Sequence, residues 1–514
     1  MNSTKRIIIN TFFLYGKMAI TITVALFSTR IVLNELGVVD FGIFNLVAGV
    51  IGMLSFLNAA ISASTQRYLS FYLGSGKINK LKAIFNSSIL LHLVIGLVVV
   101  VLLEIGGVLL FNGILDIPVI RINTAKIIFH FIVISTFFTI NSVPFDAVIN
   151  AHENMLFDAI VGILESLGKL SIAIWLIYTD YDRLIIYGLL FAILTILIQI
   201  VKGTYCYVKY EECHTKFKTY FQWVLFKDMF SFAGWNLFGA LSGLGRNQGL
   251  AILFNLFYGV VVNAAFGIAN QINGLINVFS LNMLKALNPQ IVKSEGNGDR
   301  VRMLKLSMKA SKFSFFLISF FAIPLIFEMP YILKLWLKII PDYTIIFSQL
   351  TLIITLINQL SIGLQTAVQS IGKIKLYQTV VGGFLLLNLP ISYFLLRFGF
   401  PIYSPLISII VIEIFGCYFR IYFMNKIGKM SILQYVQKVI LKITFPLIIL
   451  TTACFIPYLF MGDTVIRFIT IIMISTIVYL TSIFFMGLDK SEQIWVKSTC
   501  MILKEKFINR YFRQ

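Results

Sequence analysis

Apolar residues run along this chain in stretches of roughly 20, and short polar segments separate them. A helix of that length crosses the hydrocarbon core of a bilayer, whereas a membrane β-barrel requires short segments of period-2 alternation, a pattern that is absent here. The pattern therefore predicts an all-α polytopic membrane protein. Its fourteen predicted helices lie at about residues 7–34, 42–66, 83–110, 122–149, 155–178, 183–208, 229–257, 261–290, 303–328, 343–371, 375–398, 403–425, 436–460 and 464–487.

A sequence repeat relates the two halves of the chain. Shifting "LGVVDFGIFNLVAGVIG" (36–52) by 222 positions lays it on the segment that contains "YGVVVNAAFGIANQING" (258–274). Predicted helices 1–6 thus match helices 7–12, and because six is even, both copies enter the membrane from the same side. We expect two pseudo-symmetric six-helix lobes in a parallel repeat, followed by two extra helices. The matched residues include Gly37 and Gly259, Phe44 and Phe266, Gly74 and Gly296, Gly76 and Gly298, and, at an offset of 220, Gly162 and Gly382.

The predicted organisation has five parts. These are an N-lobe at 1–208, a linker at 209–228, a C-lobe at 229–428, helices 13 and 14 at 429–487, and a basic tail at 488–514. The linker and the tail both place apolar residues at helical spacing among lysines, which predicts amphipathic helices lying on the cytoplasmic face. A partner-binding role for the tail stays open.

Composition and charge agree with a membrane location. The 514 residues are 59% hydrophobic and 12% charged, against about 25% charged residues in a soluble domain. The net charge of +20 comes from 42 Lys and Arg, most of which fall in segments that become cytoplasmic when the N-terminus is inside. We therefore expect both termini in the cytoplasm and contacts of the basic segments with membrane lipids, and we exclude nucleic acid as a partner.

Several cations and amides lie within the predicted spans. Projected at 100° per residue, they form one polar face on each of helices 1, 7 and 8. An intramembrane ionisable residue is costly and marks a candidate site, although packed helices also use asparagine to bind one another. Lys285 lies near the inner surface, so a surface position also stays open for it. The candidate substrate-binding residues are Lys17, Arg246, Lys285, Asn270, Asn277 and Asn236.

We expect these faces to line a cavity between the lobes, since the spans that carry them are counterparts in the repeat. Few acidic residues are expected near the cations. A cavity that is mainly cationic suits an anionic cargo, because arginine binds a phosphate through two parallel hydrogen bonds and lysine binds it as a point charge.

Glu165 and Lys169 are four residues apart in predicted helix 5 and share one helix face. Either they form a self-neutralised structural pair, or protonation of Glu165 frees Lys169 and couples transport to protons. Both interpretations stay open at this point.

Catalytic and cofactor chemistry is not indicated. The segment "LGSGKINK" (73–80) lacks the strand context of a nucleotide-binding loop. The five cysteines show no metal-ligand or disulfide spacing. We expect no enzyme activity, no cofactor and no metal, with transport powered by the membrane potential, an ion gradient or removal of the product.

A family resemblance is carried by five segments: "FGIFNLVAGVIGMLSFLNAAISASTQRYLSFYLGSG" (41–76), "SFAGWNLFGAL" (231–241), "NAAFGIANQING" (263–274), "ALNPQIVKSEGNGD" (286–299) and "GKIKLYQ" (372–378). They resemble Wzx-type polysaccharide flippases of the multidrug/oligosaccharidyl-lipid/polysaccharide (MOP) superfamily. The resemblance implies a V-shaped pair of six-helix lobes. It also implies flipping of undecaprenyl-pyrophosphate-linked sugar repeat units, as used for O-antigen, lipopolysaccharide or capsule, across a bacterial inner membrane. Expected partners are this lipid-linked oligosaccharide and other polysaccharide-assembly proteins, and we expect a monomer.

Two other functions stay open. A multidrug exporter of the same superfamily would carry organic cations, and an aromatic, acid-lined cavity would favour it. A membrane polysaccharide polymerase would require a large outer loop with carboxylates, whereas the predicted outer connections are short.

Overall fold

A computed structural model describes residues 3–52, 55–114, 117–337, 339–494 and 496–497. Within these residues the chain is 90% helical and contains no strand, as the apolar pattern predicted. The α-helices are α1 (Ser3–Gly52), α2 (Ser55–Gly74), α3 (Ile78–Leu109), α4 (Ile122–Ala151), α5 (Met155–Trp175), α6 (Arg183–Lys209), α7 (Phe217–Tyr220), α8 (Trp223–Gly296), α9 (Arg300–Trp336), α10 (Thr344–Gln359), α11 (Ile362–Ile371), α12 (Lys375–Arg397), α13 (Ser404–Gly428), α14 (Ile432–Tyr435), α15 (Leu441–Phe460) and α16 (Val465–Ser482).

The helices are long and apolar enough to make this a multi-pass membrane protein. In the described part of the chain 11 helices meet that criterion, and α10 with α11 makes a twelfth if the bent pair is one span. Both α1 and α8 contain an internal break, so the described residues form the 14 long helices that the apolar pattern predicts. On α3, Leu97, Val98 and Val101 are more than half exposed, as expected for a lipid-facing surface.

The breaks in α1 and α8 fall on glycines that the repeat pairs. Gly37 has φ 74° and ψ 168°, and Gly259 has φ 78° and ψ −171°. This region of backbone space is essentially restricted to glycine, so one residue turns the chain between two helices without a loop. The paired loop glycines Gly76 and Gly298 also share a positive φ, of 68° and 79°. The repeat read from the sequence is thus confirmed in the local backbone.

Replacing Gly37 with alanine is expected to destabilise the protein. No atom lies within 4 Å of the added Cβ, so the cost comes from the backbone conformation alone, on the order of 1–3 kcal/mol. Thermal unfolding of the purified protein in detergent measures it. The matched control is Gly42→Ala, at an equally open position with ordinary helical backbone. An unchanged unfolding temperature for Gly37→Ala would contradict this account.

The predicted helix at 343–371 is bent instead of straight. Its two parts, α10 and α11, meet at 43°. Groups outside the helix replace its own hydrogen bonds at the bend: the Tyr435 hydroxyl donates to the carbonyl of Leu360, and the backbone N–H of Gly363 donates to Ser311 Oγ at 3.0 Å. Such external partners are a recognised cause of kinks, and sequence periodicity does not reveal them.

The predicted amphipathic helix at 209–228 is wrong as a single helix. α6 runs to Lys209 and α8 begins at Trp223, and the residues between them form one 3₁₀ turn and the four-residue α7. Side chains of neighbouring helices fix this segment. Asn86 Oδ1 accepts from the backbone N–H of Lys216 at 2.9 Å, and Glu212 pairs with His152. Burial raises the pKa of Glu212, but the hydrogen bond with His152, a backbone hydrogen bond and the charges of His152 and Lys82 together outweigh it and leave that pKa below its usual value.

Most of the predicted tail helix lies outside the described residues, which exclude residue 495 and residues 498–514. The described part is helical at 490–494. There Glu492 accepts a hydrogen bond at 2.6 Å from the buried ammonium of Lys312 on α9.

Two compact units make up the chain, and neither is a single continuous segment. Unit 1 comprises Met1–Gly243, Lys285–Met303 and Gln369–Gly382, and unit 2 comprises Leu244–Leu284, Leu304–Val368 and Gly383–Gln514. The repeated phenylalanines occupy corresponding cores. Phe44 packs edge-on against Tyr187 in unit 1, and Phe266 packs against Phe254 in unit 2. Both phenylalanines are buried.

Candidate functional site

In unit 1, a single carboxylate holds two of the predicted site lysines. Asp158 Oδ2 lies 3.0 Å from Lys17 Nζ, and Asp158 Oδ1 lies 2.9 Å from Lys285 Nζ. The three residues come from α1, α5 and α8. The side chain of Asp158 is only 15% exposed, so each of its oxygens is committed to one ammonium group.

The position of this cluster follows from the local sequence. Asn154 caps α5 by accepting from the backbone N–H of Phe157, and Asp158 lies in the first turn, where a carboxylate is favoured. Gly162, one turn further on, faces the stem of Lys17. A Cβ at Gly162 would overlap Lys17 Cε, so this glycine lets the lysine lie against α5.

A second carboxylate repeats the arrangement closer to the ends of the same helices. Glu153 bridges Arg6 on α1, at 3.3 Å, and Lys293 on α8, and it also accepts a hydrogen bond from Gln290. Its side chain is 1% exposed, and its backbone has φ 59°, an uncommon conformation for a residue other than glycine. Because Glu153 holds this uncommon backbone conformation while its carboxylate is paired on both sides, its ion pairs fix its position.

Together the two bridges form a ladder between α1 and α8, which we call the α1–α8 ladder. Its members are Arg6, Lys17, Glu153, Asp158, Lys285 and Lys293. Four cations share two carboxylates, so the ladder has a net charge of +2.

Beside the ladder, α2 and the end of α8 cross at backbone contact. A Cβ on Gly74 would overlap the backbone of Lys293, and a Cβ on Gly296 would overlap the backbone of Phe71. Gly74 and Phe71 lie 222 positions before Gly296 and Lys293, so the crossing is reciprocal, as in a two-fold interface. The matching glycines of the repeat thus serve one shared contact.

Arg67 of α2 connects this helix to α11. Its guanidinium donates to the carbonyls of Gln369 at 3.2 Å and Ser370 at 3.1 Å, in the last turn of α11. A cation is favourable at a helix C-terminus. The guanidinium also lies 4.5 Å from the ring centre of Tyr68.

In unit 2, a buried carboxylate holds the third predicted site cation. Glu413 on α13 lies 2.9 Å from Arg246 Nη1 and 3.8 Å from Arg420 Nη2, and Asn358 donates to it at 3.1 Å. The Nε–H of Arg246 is buried and has no partner among the described residues. Two arginines and one glutamate leave this cluster with a net charge of +1.

The expectation of few acids near these cations is wrong. Asp158 and Glu413 are both partners, and both are visible in the sequence. Neither is recognisable from the sequence as a partner of these cations, because Asp158 lies at the edge of predicted helix 5 and Glu413 lies in predicted helix 12, far along the chain from Arg246. Contacts between distant helices are not encoded in the period of one helix.

The three predicted asparagines differ in their surroundings. Asn236 is 6% exposed and accepts from Gln378 at 3.1 Å and Gln369 at 3.5 Å, so here it binds helices together. Asn277 donates to Asn273 on its own helix at 3.2 Å. Asn270 is half-buried on α8 in unit 2.

The predicted coupling residues are in direct contact. Lys169 Nζ lies 2.7 Å from Glu165 Oε1, and both side chains are about one-third exposed, at 39% and 34%. The lysine also lies 5.2 Å from the ring centre of Phe191. Geometry thus gives an ion pair on one helix face, whichever role it serves. No cluster of three or more potential metal ligands occurs in the described part of the chain.

Solved transporter structures share this fold. One is a multidrug resistance MATE family transporter of the MOP superfamily in an outward-facing conformation, with TM-score 0.71, 14% identity, and coverage of 85% of this chain and 97% of that chain. A second is a MOP superfamily transporter from Pyrococcus furiosus, with TM-score 0.72, 14% identity and the same coverage. A third is a MATE protein in the straight conformation, with TM-score 0.72, 14% identity and coverage of 85% and 98%.

No protein-family model and no curated protein sequence matches this chain. The structural likeness extends over nearly the whole of each transporter, so the chain has the fold of MOP-superfamily transporters. This confirms the all-α transporter fold with two lobes that the sequence predicted.

Proposed function

We propose that this protein is a flippase that moves a diphosphate-linked oligosaccharide on a polyprenyl lipid, of the undecaprenyl type, from the cytoplasmic to the outer leaflet of a bacterial inner membrane. The observation that carries the proposal is the shared chemistry of two clusters. In each, two cations within membrane helices share one carboxylate, namely Lys17 and Lys285 with Asp158, and Arg246 and Arg420 with Glu413.

A surplus of positive charge in a membrane helix requires compensation, because an unpaired charge in hydrocarbon is costly. An anionic cargo supplies that compensation while it is bound. A diphosphate offers several anionic oxygens, and the buried Nε–H of Arg246 in one cluster and the ammonium groups of Lys17 and Lys285 in the other are both donors of the matching charge.

The sequence resemblance supports the lipid-linked cargo. The segments at 41–76 and 286–299, which resemble Wzx-type flippases, also contain Gly74, Gly296 and Lys293 of the reciprocal crossing. The two repeats favour alternating access, and the placement of lysine and arginine favours both termini in the cytoplasm.

Export of organic cations is the alternative function, and the multidrug transporter of the same fold favours it. A cationic drug would be attracted by surplus carboxylates, whereas here the cations are in surplus. The Pyrococcus furiosus transporter is described as having a binding pocket of reverse polarity that suggests a different function. The fold is therefore compatible with more than one pocket polarity, and the charge of the two cation clusters is the better guide to the cargo of this chain.

Complementation tests the proposed function. The gene is expressed in flippase-null bacteria that make different repeat units, and surface polysaccharide is measured together with resistance to cationic dyes. The proposal predicts restored polysaccharide in at least one host without added dye resistance. Dye resistance without polysaccharide, from well-expressed protein, would favour the exporter.

Glu165 and Lys169 are proposed to couple transport to protons. We expect the double variant Glu165→Gln with Lys169→Met to fold but remain inactive, because no titratable group is left at that position. In a purely structural pair, removal of both charges leaves no unpaired ion and restores function. Full polysaccharide production by the double variant, with singles inactive, would contradict coupling.

A further inference from the structure

Asp158 occupies the place that an anionic ligand of Lys17 and Lys285 would occupy. Its two carboxylate oxygens lie 3.0 Å and 2.9 Å from the two ammonium groups. A diphosphate also presents anionic oxygens that one molecule can share between two cations. The carboxylate and such a ligand therefore compete for the same donors.

The charge of the cluster depends on which of the two anions is present. With Asp158 in place, two lysines and one carboxylate leave a net charge of +1. When Asp158 leaves, the two lysines offer +2 to the ligand, close to the roughly two negative charges of a diphosphate. A cluster with a displaceable internal anion thus keeps its two ammonium groups paired with an anion both with and without cargo.

We propose that Asp158 is an internal counter-anion that the diphosphate of the cargo displaces from Lys17 and Lys285. This inference rests on the proposed function, since it requires a diphosphate-linked cargo. Displacement also has a mechanical consequence. Asp158 links α5 to α8 through Lys285, and that link is lost when the cargo takes over the lysine.

The side chains are suited to such an exchange. A lysine ammonium is a compact charge on a flexible stem with three rotatable donors, so it follows a new acceptor without moving the helix. The aspartate is short and lies in the first turn of α5, so it cannot follow the lysines. Only hydrogen bonds and ion pairs are exchanged, and no covalent bond changes.

Binding of farnesyl diphosphate, a short polyprenyl diphosphate, to the purified full-length chain tests the inference. Asp158→Asn is expected to bind it about tenfold more tightly than wild type, because the competitor is gone, and Lys17→Gln about tenfold more weakly. Asp158→Glu should stay close to wild type. The matched control is Glu35→Gln, which removes a carboxylate paired with Arg183 at 3.0 Å near the break in α1 and is expected to leave affinity unchanged.

Two competitors identify what is recognised. Inorganic diphosphate is expected to compete with farnesyl diphosphate, and neutral farnesol is not. Should Asp158→Asn fail to fold, the double variant Lys17→Gln with Asp158→Asn makes the same test, with tighter binding expected than for Lys17→Gln alone.

The outcomes separate this inference from the proposed function. If wild type binds farnesyl diphosphate but Asp158→Asn binds it equally or more weakly, Asp158 is a structural partner and the inference is wrong. If wild type does not bind farnesyl diphosphate at all, the inference and the diphosphate-linked cargo fall together.

Discussion

Replacing Arg246 with glutamate is expected to abolish transport of a diphosphate-linked cargo. In wild type, Arg246 donates a hydrogen bond from Nη1 to Glu413. Its buried Nε–H has no partner among the described residues. Loss of one charge-assisted hydrogen bond to phosphate costs about 1.5–3 kcal/mol, or roughly tenfold or more in affinity. Charge reversal adds repulsion, since the cluster then holds two carboxylates and one arginine.

Graded substitutions at Arg246 make the prediction specific. Arg246→Lys keeps the charge and should retain partial transport, and Arg246→Ala should lose most of it. The matched control is Arg397→Glu, a charge reversal at an exposed position at the end of α12, which should transport like wild type. Membrane levels and unfolding temperatures exclude misfolding. If well-folded Arg246→Glu produces as much surface polysaccharide as wild type, Arg246 does not contact the cargo.

Alanine at Gly296 is expected to block transport by a different route. The added Cβ would overlap the carbonyl group of Phe71, and because the neighbour is backbone, no side-chain rotation relieves the overlap. α2 and the end of α8 must therefore move apart. We expect Gly74→Ala to have the same effect, since its Cβ would overlap the backbone of Lys293 in the reciprocal contact.

Distances between spin labels at Lys77 and Asp299, in a background without native cysteines, report this separation. Both positions are exposed and lie in unit 1. The Gly296→Ala variant should shift the distribution to longer distances and lose transport. Gly106→Ala, a helical position without a neighbour within 4 Å, should change neither. An unchanged distance distribution in Gly296→Ala would show that α2 and the end of α8 do not need backbone contact at this crossing, and would contradict the prediction.

Much of the fold follows from the sequence. The helices are recognisable from the length of each apolar stretch, and the repeat and its paired glycines are recognisable by shifting the sequence 222 positions along itself. The repeat in the sequence pairs Gly37 with Gly259, and both glycines share a positive φ in the structure. The bend between α10 and α11 could not be predicted in this way. It depends on Tyr435 and Ser311, which approach from other helices.

The candidate site was only half predictable. Lys17, Lys285 and Arg246 were found because a cation in an apolar run stands out. Their partners were missed because Asp158 and Glu413 are paired by tertiary packing, which helical projection of single spans does not describe. Asn236 shows the converse: its amide faces Gln378 within the helix packing, a role that a polar stripe does not distinguish from cargo binding.

Movement of a lipid-linked oligosaccharide by the purified protein in liposomes tests the central claim most directly. A fluorescent polyprenyl-diphosphate oligosaccharide is placed in both leaflets, and a membrane-impermeant quencher reports the fraction that reaches the outer one. The account predicts that wild type exposes nearly all of the lipid to the quencher and that Arg246→Glu leaves the inner half protected. The contradicting result has two parts. Wild-type protein would leave the inner half of the lipid protected and would instead move an organic cation, and Arg246→Glu would move that cation faster than wild type.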